Sequence, residues 1–521
     1  MNAIDAQVPA PPLWSTSRKS EARTVAFGPT AEKHRRLVVR LVFTIYFLAL
    51  FEGVLRKWIA PQWGRPLFFI RDPFVLAIYH LVFWRRTRFR TGILEMGCLF
   101  AAAGLVLIVA QNIGNGHLPL VLVAYGWRNY FFYLPLAFII GRYLDLRDLG
   151  LLVKATALIS VAMSILVIVQ FRSPSNSPIN AGFGDNPDEI YGSQSLPEGF
   201  TRVPGTFTSN LGVTTFAASA VASVISLWLA PGRSRSLNGY LLLAWSTAGT
   251  LLCVSLSGSR GAFVWSGLIL AMAIAGFSLA SGLLGLRTGV LITVLVASGA
   301  VTVPVLFPDA IRSFQERWSG AEESEEQAYG PGGIFGRAVY EVFSFRFLLE
   351  KAPLQGYGLG SAGNGAWRLG TRSQVIDFTD SEEVAAAETD WGRNILELGP
   401  VFGCMFIAYR VVFVMWMGKT ALAATMRSGH PLPWLLFAFV GIIMFNGQIT
   451  ANGTVNAYGW LFTGFCLAAA NSVPPGGARQ MSGLRISRGF RPSPGISLPC
   501  ANQYSSHNSL PRQRTGALKP L

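Results

Sequence analysis

Five arginines stand out in a chain that is otherwise short of charge: Arg71, Arg128, Arg202, Arg260 and Arg337. A guanidinium stays charged and offers a planar fork of donors that fits phosphate bidentately, so these side chains suit recognition of phosphate or pyrophosphate. Ordinary anchoring to phospholipid accounts for one or two of them. A cluster drawn from five segments points to a pyrophosphate substrate, provided the segments converge. Arg71 has a second reading, as the ion-pair partner of Asp72 or of another nearby carboxylate. A proton acceptor beside such a site has to be a histidine or a carboxylate. Of five histidines, His34, His430 and His507 fall in segments assigned below to the inner side and His80 within an apolar run, which leaves His117. The leading carboxylates are Glu388 and Asp390 in AAAETDWGRNILELG, just before a predicted helix, with Glu397 on its first turns. Charge compensation at a helix N-terminus is the competing reading for Glu388 and Asp390.

The elements that must position these residues are membrane spans. The 521 residues are 51% hydrophobic and only 13% charged, with a mean hydropathy of +0.41; soluble domains carry about 25% charged residues. Apolar runs long enough for about 30 Å of hydrocarbon fall at 37–51, 67–84, 93–110, 118–140, 149–171, 210–230, 239–256, 263–280, 288–306, 394–417, 432–450 and 455–471. The expected fold is an all-α polytopic membrane protein of about 12 transmembrane helices. The first 36 residues contain no apolar core of a signal peptide, so the run from Leu37 is expected to act as the insertion signal.

The net charge of +16 is placed by topology and does not imply a nucleic-acid partner. With both termini inside, the inner segments receive Arg18, Lys19, Arg23, Lys33, Arg35, Arg36, the RRTRFR cluster at 85–90, Arg142, Arg147, Arg233, Arg235, Arg287, Lys419, Arg427 and the basic tail. The short outer loops hold Arg56, Lys57, Arg65 and Arg260, a bias that follows the positive-inside rule. The expected division is a cytoplasmic tail at 1–36 and nine spans over 37–306, including an irregular outer loop at 172–209. A large outer loop at 307–393, three spans over 394–472 and a disordered basic tail at 473–521 complete it. Within the large loop, the stretch at 336–354, which continues from Arg337 as RAVYEVFSFRFLLEKAPL, reads as an amphipathic helix. Phe335, Val339, Phe343 and Phe347 recur there at steps of four, and Arg337 is able to pair with Glu341 one turn on. The acidic stretches at 322–326 and 377–383 read as solvated loop.

A charge inside a span faces the bundle interior or water and is a functional candidate by default, which applies to Arg128. Arg40 and Lys154, near the inner ends of their helices, read as snorkelling side chains. Cys98, Cys253, Cys404 and Cys466 lie in spans and Cys500 in the inner tail, so neither a disulfide nor a metal site is expected. The GKT at 418–420 has Phe413 where a P-loop needs glycine, and no DxD motif occurs in the inner loops. ATP-driven transport and cytoplasmic sugar-nucleotide chemistry lose support accordingly. The absence of an internal repeat weighs against an inverted-repeat transporter.

Three motifs in this order give the chain a resemblance to the O-antigen ligase/polymerase superfamily. They are SRGA at 259–262 opening a helix, PLQGYGLGS at 353–361 late in the large loop after a helix led by Gly336 and Arg337, and NILELGPVFG at 394–403 at membrane re-entry. FEGVLRKWIAP, FFIRDPFVLAIY and RVPGTF are similar to a polysaccharide-polymerase branch of it, and the resemblance covers about residues 37–472. It implies a metal-independent, cofactor-free, inverting glycosyltransferase embedded in the bacterial inner membrane. Such an enzyme takes an undecaprenyl-diphosphate-linked glycan on the periplasmic face and passes it to a new lipid-linked repeat unit. Related ligases pass it to lipid A–core, and others to protein; further polysaccharide-assembly proteins are implied as partners. Arg260 and Arg337, with Arg128, Arg202 and Arg71, would hold the diphosphate; Glu388 or Asp390 would be the base; Trp391 would be a sugar-stacking platform. Ligases carry a His-Asn pair about nine residues before the Glu-Leu-Gly, where this chain has Glu388 and Thr389, which moves the reading from ligase toward polymerase. The glycines at 356, 358 and 360 read either as a phosphate cradle or as a flexible turn beside the membrane. The alternative from another class is a flippase or transporter of lipid-linked oligosaccharide, which would distribute its charges through the full depth of the membrane.

Overall fold

The computed structural model describes residues 29–84, 91–114, 118–182, 184, 190, 202–230, 236–308, 312, 315, 333–362 and 386–472. The arginine cluster at 85–90, His117, the acidic stretches at 322–326 and 377–383 and both tails, 1–28 and 473–521, lie outside the described residues. The described residues form helices and turns, without a strand.

Helix α1 (Pro29–Val54) runs on through a π-turn at Leu55–Ile59. It is followed by α2 (Asp72–Trp84), α3 (Gly92–Gly114) and α4 (Leu120–Trp127), which passes through a second π-turn at Arg128–Phe132 into α5 (Leu134–Tyr143). Helices α6 (Leu146–Arg172), α7 (Asn210–Leu229), α8 (Leu237–Leu256), α9 (Arg260–Ala280) and α10 (Gly282–Leu306) complete the first part. Helix α11 (Gly333–Phe343) belongs to the large loop, and α12 (Asp390–Leu398), α13 (Pro400–Ser428), α14 (Leu432–Asn446) and α15 (Gly453–Ser472) close the chain.

Nine helical segments among the described residues are long and apolar enough to cross a membrane. Three runs expected to span fall short of that measure, each for a physical reason. The run at 118–140 is broken at Arg128 by the π-turn. Helix α14 has only 15 residues because it ends at Asn446, inside the expected 432–450 run. Helix α15 is long enough, but its face carries Thr454, Asn456 and Thr463. It tolerates these because it is the hub of the bundle, buried from Val455 through Ala470. Close approach to α5 is made at glycine: a Cβ on Gly464 would stand 2.6 Å from Ile140 Cβ, and one on Gly141 would stand 2.8 Å from Leu467 Cβ. Small residues at such crossings replace the hydrophobic drive that lipid does not supply.

Several polar side chains inside the bundle are satisfied by nearby helices. Helix α6 opens with a reciprocal capping box between Asp145 and Asp148, and Arg35 of α1 bonds Asp148 at 2.7 Å. Farther along, Ser160 donates to Ala157 O and to Ser246 O, which ties α6 to α8 at 3.0 Å. Membrane re-entry is sharper than one continuous span over 394–417 would give. Helix α12 stops at Leu398, Gly399 takes φ 80°, and Pro400 starts α13. A Cβ on Gly399 would lie 2.1 Å from Leu354 O, so only glycine fits this corner.

Candidate functional site

Helix α9 begins at Arg260 because Gly258, at φ 65°, turns the chain out of α8. From that start, Val264, Leu268 and Met272 recur every fourth residue along one face and line a cleft of about 720 Å³. At 1.5 Å per residue this wall runs about 18 Å from Arg260 down into the spans. The facing wall is the α14 face bearing Phe437, Gly441, Ile442 and Phe445, with Val414 of α13 between them. One end of the cleft is polar: Arg202, Asn210, Thr214, Ser259 and Arg260 meet Glu341, Thr389, Asn446 and Gln448 there. Two guanidiniums from separate segments thus stand over an apolar groove. A second cavity, of about 480 Å³, lies on the other face of α9 between α7, α8 and α10, and its lining has no charged side chain.

Arg202 is held at the cleft by a packed loop, and the motifs around residues 51–72 supply much of that packing. A Cβ on Gly53 would lie 2.3 Å from Thr206 O, so the RVPGTF loop rests directly on α1. Thr206 Oγ1 donates to Leu50 O at 2.7 Å, Lys57 Nζ donates to Gly205 O at 3.0 Å, and Gln170 both donates to and accepts from the Gly205 backbone. Val203 and Phe207 are fully buried beside these bonds.

Arg71 and Arg128 lie in that scaffold and not on the cleft wall. Arg71 pairs with Glu52 of α1 at 3.1 Å and donates twice to Gly453 O. Arg56 takes the other oxygen of Glu52 at 3.0 Å. Asp72 goes to Arg128 in a two-pronged pair of 2.6 and 2.9 Å, and Tyr133 also bonds Asp72. The Arg128 guanidinium lies over the rings of Phe68, Phe69 and Tyr133 at 5.0–5.3 Å. Both arginines are therefore committed to protein carboxylates.

Helix α12 places its residues in contrasting environments. Thr389 caps the helix by accepting from Gly392 N, and it faces the cleft. Glu388, the residue before it, is exposed. Asp390 is buried, bonded through Oδ2 to Arg410 and through Oδ1 to Thr450 N at 3.2 Å and Thr450 Oγ1 at 2.7 Å. Trp391 is also buried, its ring packed against Phe345 and Phe445 and its Nε1 donating to Phe445 O at 2.8 Å. The ring is 6% exposed and lies among protein side chains, off the cleft lining. Arg410 further donates to Met444 O at 3.2 Å, and Asn129 bonds Thr450 O. Together these bonds clamp the turn after α14, whose outer side presents Asn446 and Gln448 to the cleft.

The glycine-rich run is neither a phosphate cradle nor a loose turn. Gly356, Gly358 and Gly360 all take positive φ, and the loop closes around a protein carboxylate. Ala362 N donates to Glu397 Oε1 at 3.0 Å, while Gln111 bridges Gln355 O and Glu397 O and accepts from Leu359 N. Glu397 lies outside the spanning helices, and burial pushes its carboxyl up to about 7, against the opposing bonds from Gly360, Tyr130 and Ala362.

The cleft therefore unites Arg202 and Arg260 among the sequence-predicted residues. Arg337 lies in α11 one turn before Glu341, and its side chain lies outside the described residues. Glu341, Thr389, Asn446 and Gln448 are among the polar wall residues that sequence reasoning did not single out as site residues. The signal for the last two is Asn446-Gly447-Gln448 interrupting an apolar run, and for Glu341 its place on the polar side of an amphipathic helix. Among the described residues, no group of three or more His, Cys, Asp or Glu is arranged to hold a metal ion. No family model, curated protein or solved structure matches the chain.

Proposed function

We propose that this chain is a polysaccharide polymerase of the bacterial inner membrane, a glycosyltransferase that takes an undecaprenyl-diphosphate-linked glycan and adds it to a new lipid-linked repeat unit on the periplasmic face. About twelve spans and cytoplasmic termini belong to the same proposal, supported by the placement of positive charge in the sequence. The resemblance to the O-antigen ligase/polymerase superfamily supplies the reaction type. One structural observation carries the substrate class: Arg202 and Arg260 stand at the polar end of a cleft whose apolar walls continue into the spans. A diphosphate at the arginines and the first part of an isoprenoid chain in the groove match that division of chemistry.

In the proposed reaction an acceptor hydroxyl attacks the anomeric carbon. The bond from that carbon to the diphosphate breaks, and its electron pair leaves on the diphosphate oxygen. Arg202 and Arg260 compensate the charge of the leaving group, and a carboxylate takes the hydroxyl proton. Attack opposite the leaving group inverts the configuration. Asn446, Gln448 and Thr389 are the neutral hydrogen-bonding groups at the same end, suited to sugar hydroxyls.

Alanine at Arg202 or Arg260 tests this proposal, read by chain length of the polymer and by the amount of inserted protein. Removing one preorganised charge-stabilising donor costs about 10²–10³ in rate, so each variant is expected to insert normally and make no long chains. Long polymer at normal abundance from both variants contradicts it. A deletion strain separates polymerase from ligase: single repeats with no long chains indicate polymerase, and intact polymer stranded on its lipid carrier indicates ligase.

A further inference from the structure

We propose that Glu341, on α11 of the large loop, is the general base that takes the proton from the acceptor hydroxyl; this assignment rests on the transferase reading above. Among the described residues lining the arginine-bearing cleft, Glu341 is the one carboxylate. The other acids nearby are placed differently. Asp390 is bonded to Arg410 and Thr450, and Glu397 is enclosed by the 356–362 loop. Glu388, exposed as Glu341 is, precedes the cleft residue Thr389 and does not form part of the wall.

The helix places Glu341, itself exposed, on the cleft side of α11 at the mouth. Residues two apart on a helix point about 200° away from each other. Val339 and Phe343 flank Glu341 at that spacing and are 42% and 54% exposed, on the side away from the cleft. Val342 follows Glu341 onto the wall. The helix is fixed at this point, because Asn446 Nδ2 donates to Glu341 O at 2.9 Å and joins α11 to the end of α14. The α11 backbone is thus anchored at the polar end of the cleft, and an exposed carboxylate there, on the same lining as two guanidiniums, has what a base needs: a place beside the leaving group and an exit for its proton.

The step balances with protein groups alone. The acceptor O–H proton passes to the Glu341 carboxylate as the oxygen bonds the anomeric carbon. The electron pair of the broken bond stays on the diphosphate at Arg202 and Arg260. Glu341 then releases the proton to water at the cleft mouth.

The test uses the full chain in proteoliposomes, with undecaprenyl diphosphate as the binding probe and the lipid-linked repeat unit as the turnover substrate. Glu341→Gln is expected to lower turnover by at least about 100-fold, the lower end of a general base's contribution, with probe affinity within about twofold of wild type. Glu341→Asp, which keeps a carboxylate, is expected to recover part of the turnover and to show that the site remains folded. Turnover within about threefold of wild type in Glu341→Gln overturns the assignment. A loss of probe binding equal to the loss of turnover also overturns it, because Glu341 is then a binding group. Loss in Glu388→Gln with turnover kept in Glu341→Gln gives the role to Glu388. If wild type itself transfers nothing, the transferase reading falls, and the assignment falls with it.

Discussion

Replacing Asp390 by alanine removes the partner of a buried cation and two further hydrogen bonds at once. The side chains of Asp390 and Arg410 are 0% and 2% exposed, so neither group can turn to water. Breaking a buried ion pair by deleting one partner costs about 3–5 kcal/mol, because the remaining charge is left uncompensated. At about 1.4 kcal/mol per factor of ten, that lowers the folded-to-unfolded ratio by about two to three and a half powers of ten. Thr450 also loses the acceptor of its N–H and O–H, and the turn bearing Asn446 and Gln448 loses its anchor. The buried thiols Cys253 and Cys466 supply the assay, with the exposed Cys98 as background. In detergent-purified protein, a thiol-reactive dye should label the buried pair much faster in Asp390→Ala than in wild type at one temperature. The double variant Asp390→Leu with Arg410→Met should recover most of the protection, because an apolar pair of similar volume leaves no buried charge. Wild-type labelling kinetics in Asp390→Ala would refute the strut role. Such kinetics together with lost transfer would return Asp390 to the chemistry.

Two other perturbations probe the supports of the cleft. Gly53→Ala sets a methyl 2.3 Å from Thr206 O, so the loop that carries Arg202 has to move. Overpacking of this kind costs about 1–3 kcal/mol, and transfer should fall even though residue 53 touches no ligand; unchanged transfer means the loop is not seated as described. Burial raises the Glu397 carboxyl from 4.5 to about 7, so the folded state holds a proton that the unfolded state has lost between those values. The resulting stability is fully present below about pH 4.5 and is lost as pH rises through 7, a swing of up to about 3 kcal/mol. Glu397→Gln should flatten that part of the stability–pH curve, and an unchanged slope means that another group titrates there.

Nine of the twelve expected spans were legible among the described residues because apolar length is a local property of the sequence, and so was the start of α9, where Ser-Gly-Ser precedes Arg260. What joins Arg202 to Arg260 is not local. It depends on Gly53 admitting a loop more than a hundred residues away, and no periodicity encodes that contact. The arginines illustrate the same limit. Asp72 sits next to Arg71 in sequence yet pairs with Arg128, while Arg71 reaches Glu52. Adjacent helical residues point about 100° apart, so neighbours in sequence are poor partners in space. The glycine run shows the reverse case. Its positive φ values suit oxyanion or carboxyl binding, and the group it encloses turned out to be the chain's own Glu397 carboxyl. Trp391 looked suited to a sugar by type alone, and only its packing against Phe345 and Phe445 shows that the ring is buried.

The central claim is that the cleft between α9 and α14 transfers glycan from a polyprenyl diphosphate. Its most direct test is the purified chain in proteoliposomes, given only the lipid-linked repeat unit, with products resolved on a gel. A ladder of repeat-length steps that disappears in Arg260→Ala is the predicted result. Unextended single repeats with wild-type protein, or repeats moved across the bilayer without a new glycosidic bond, would contradict it.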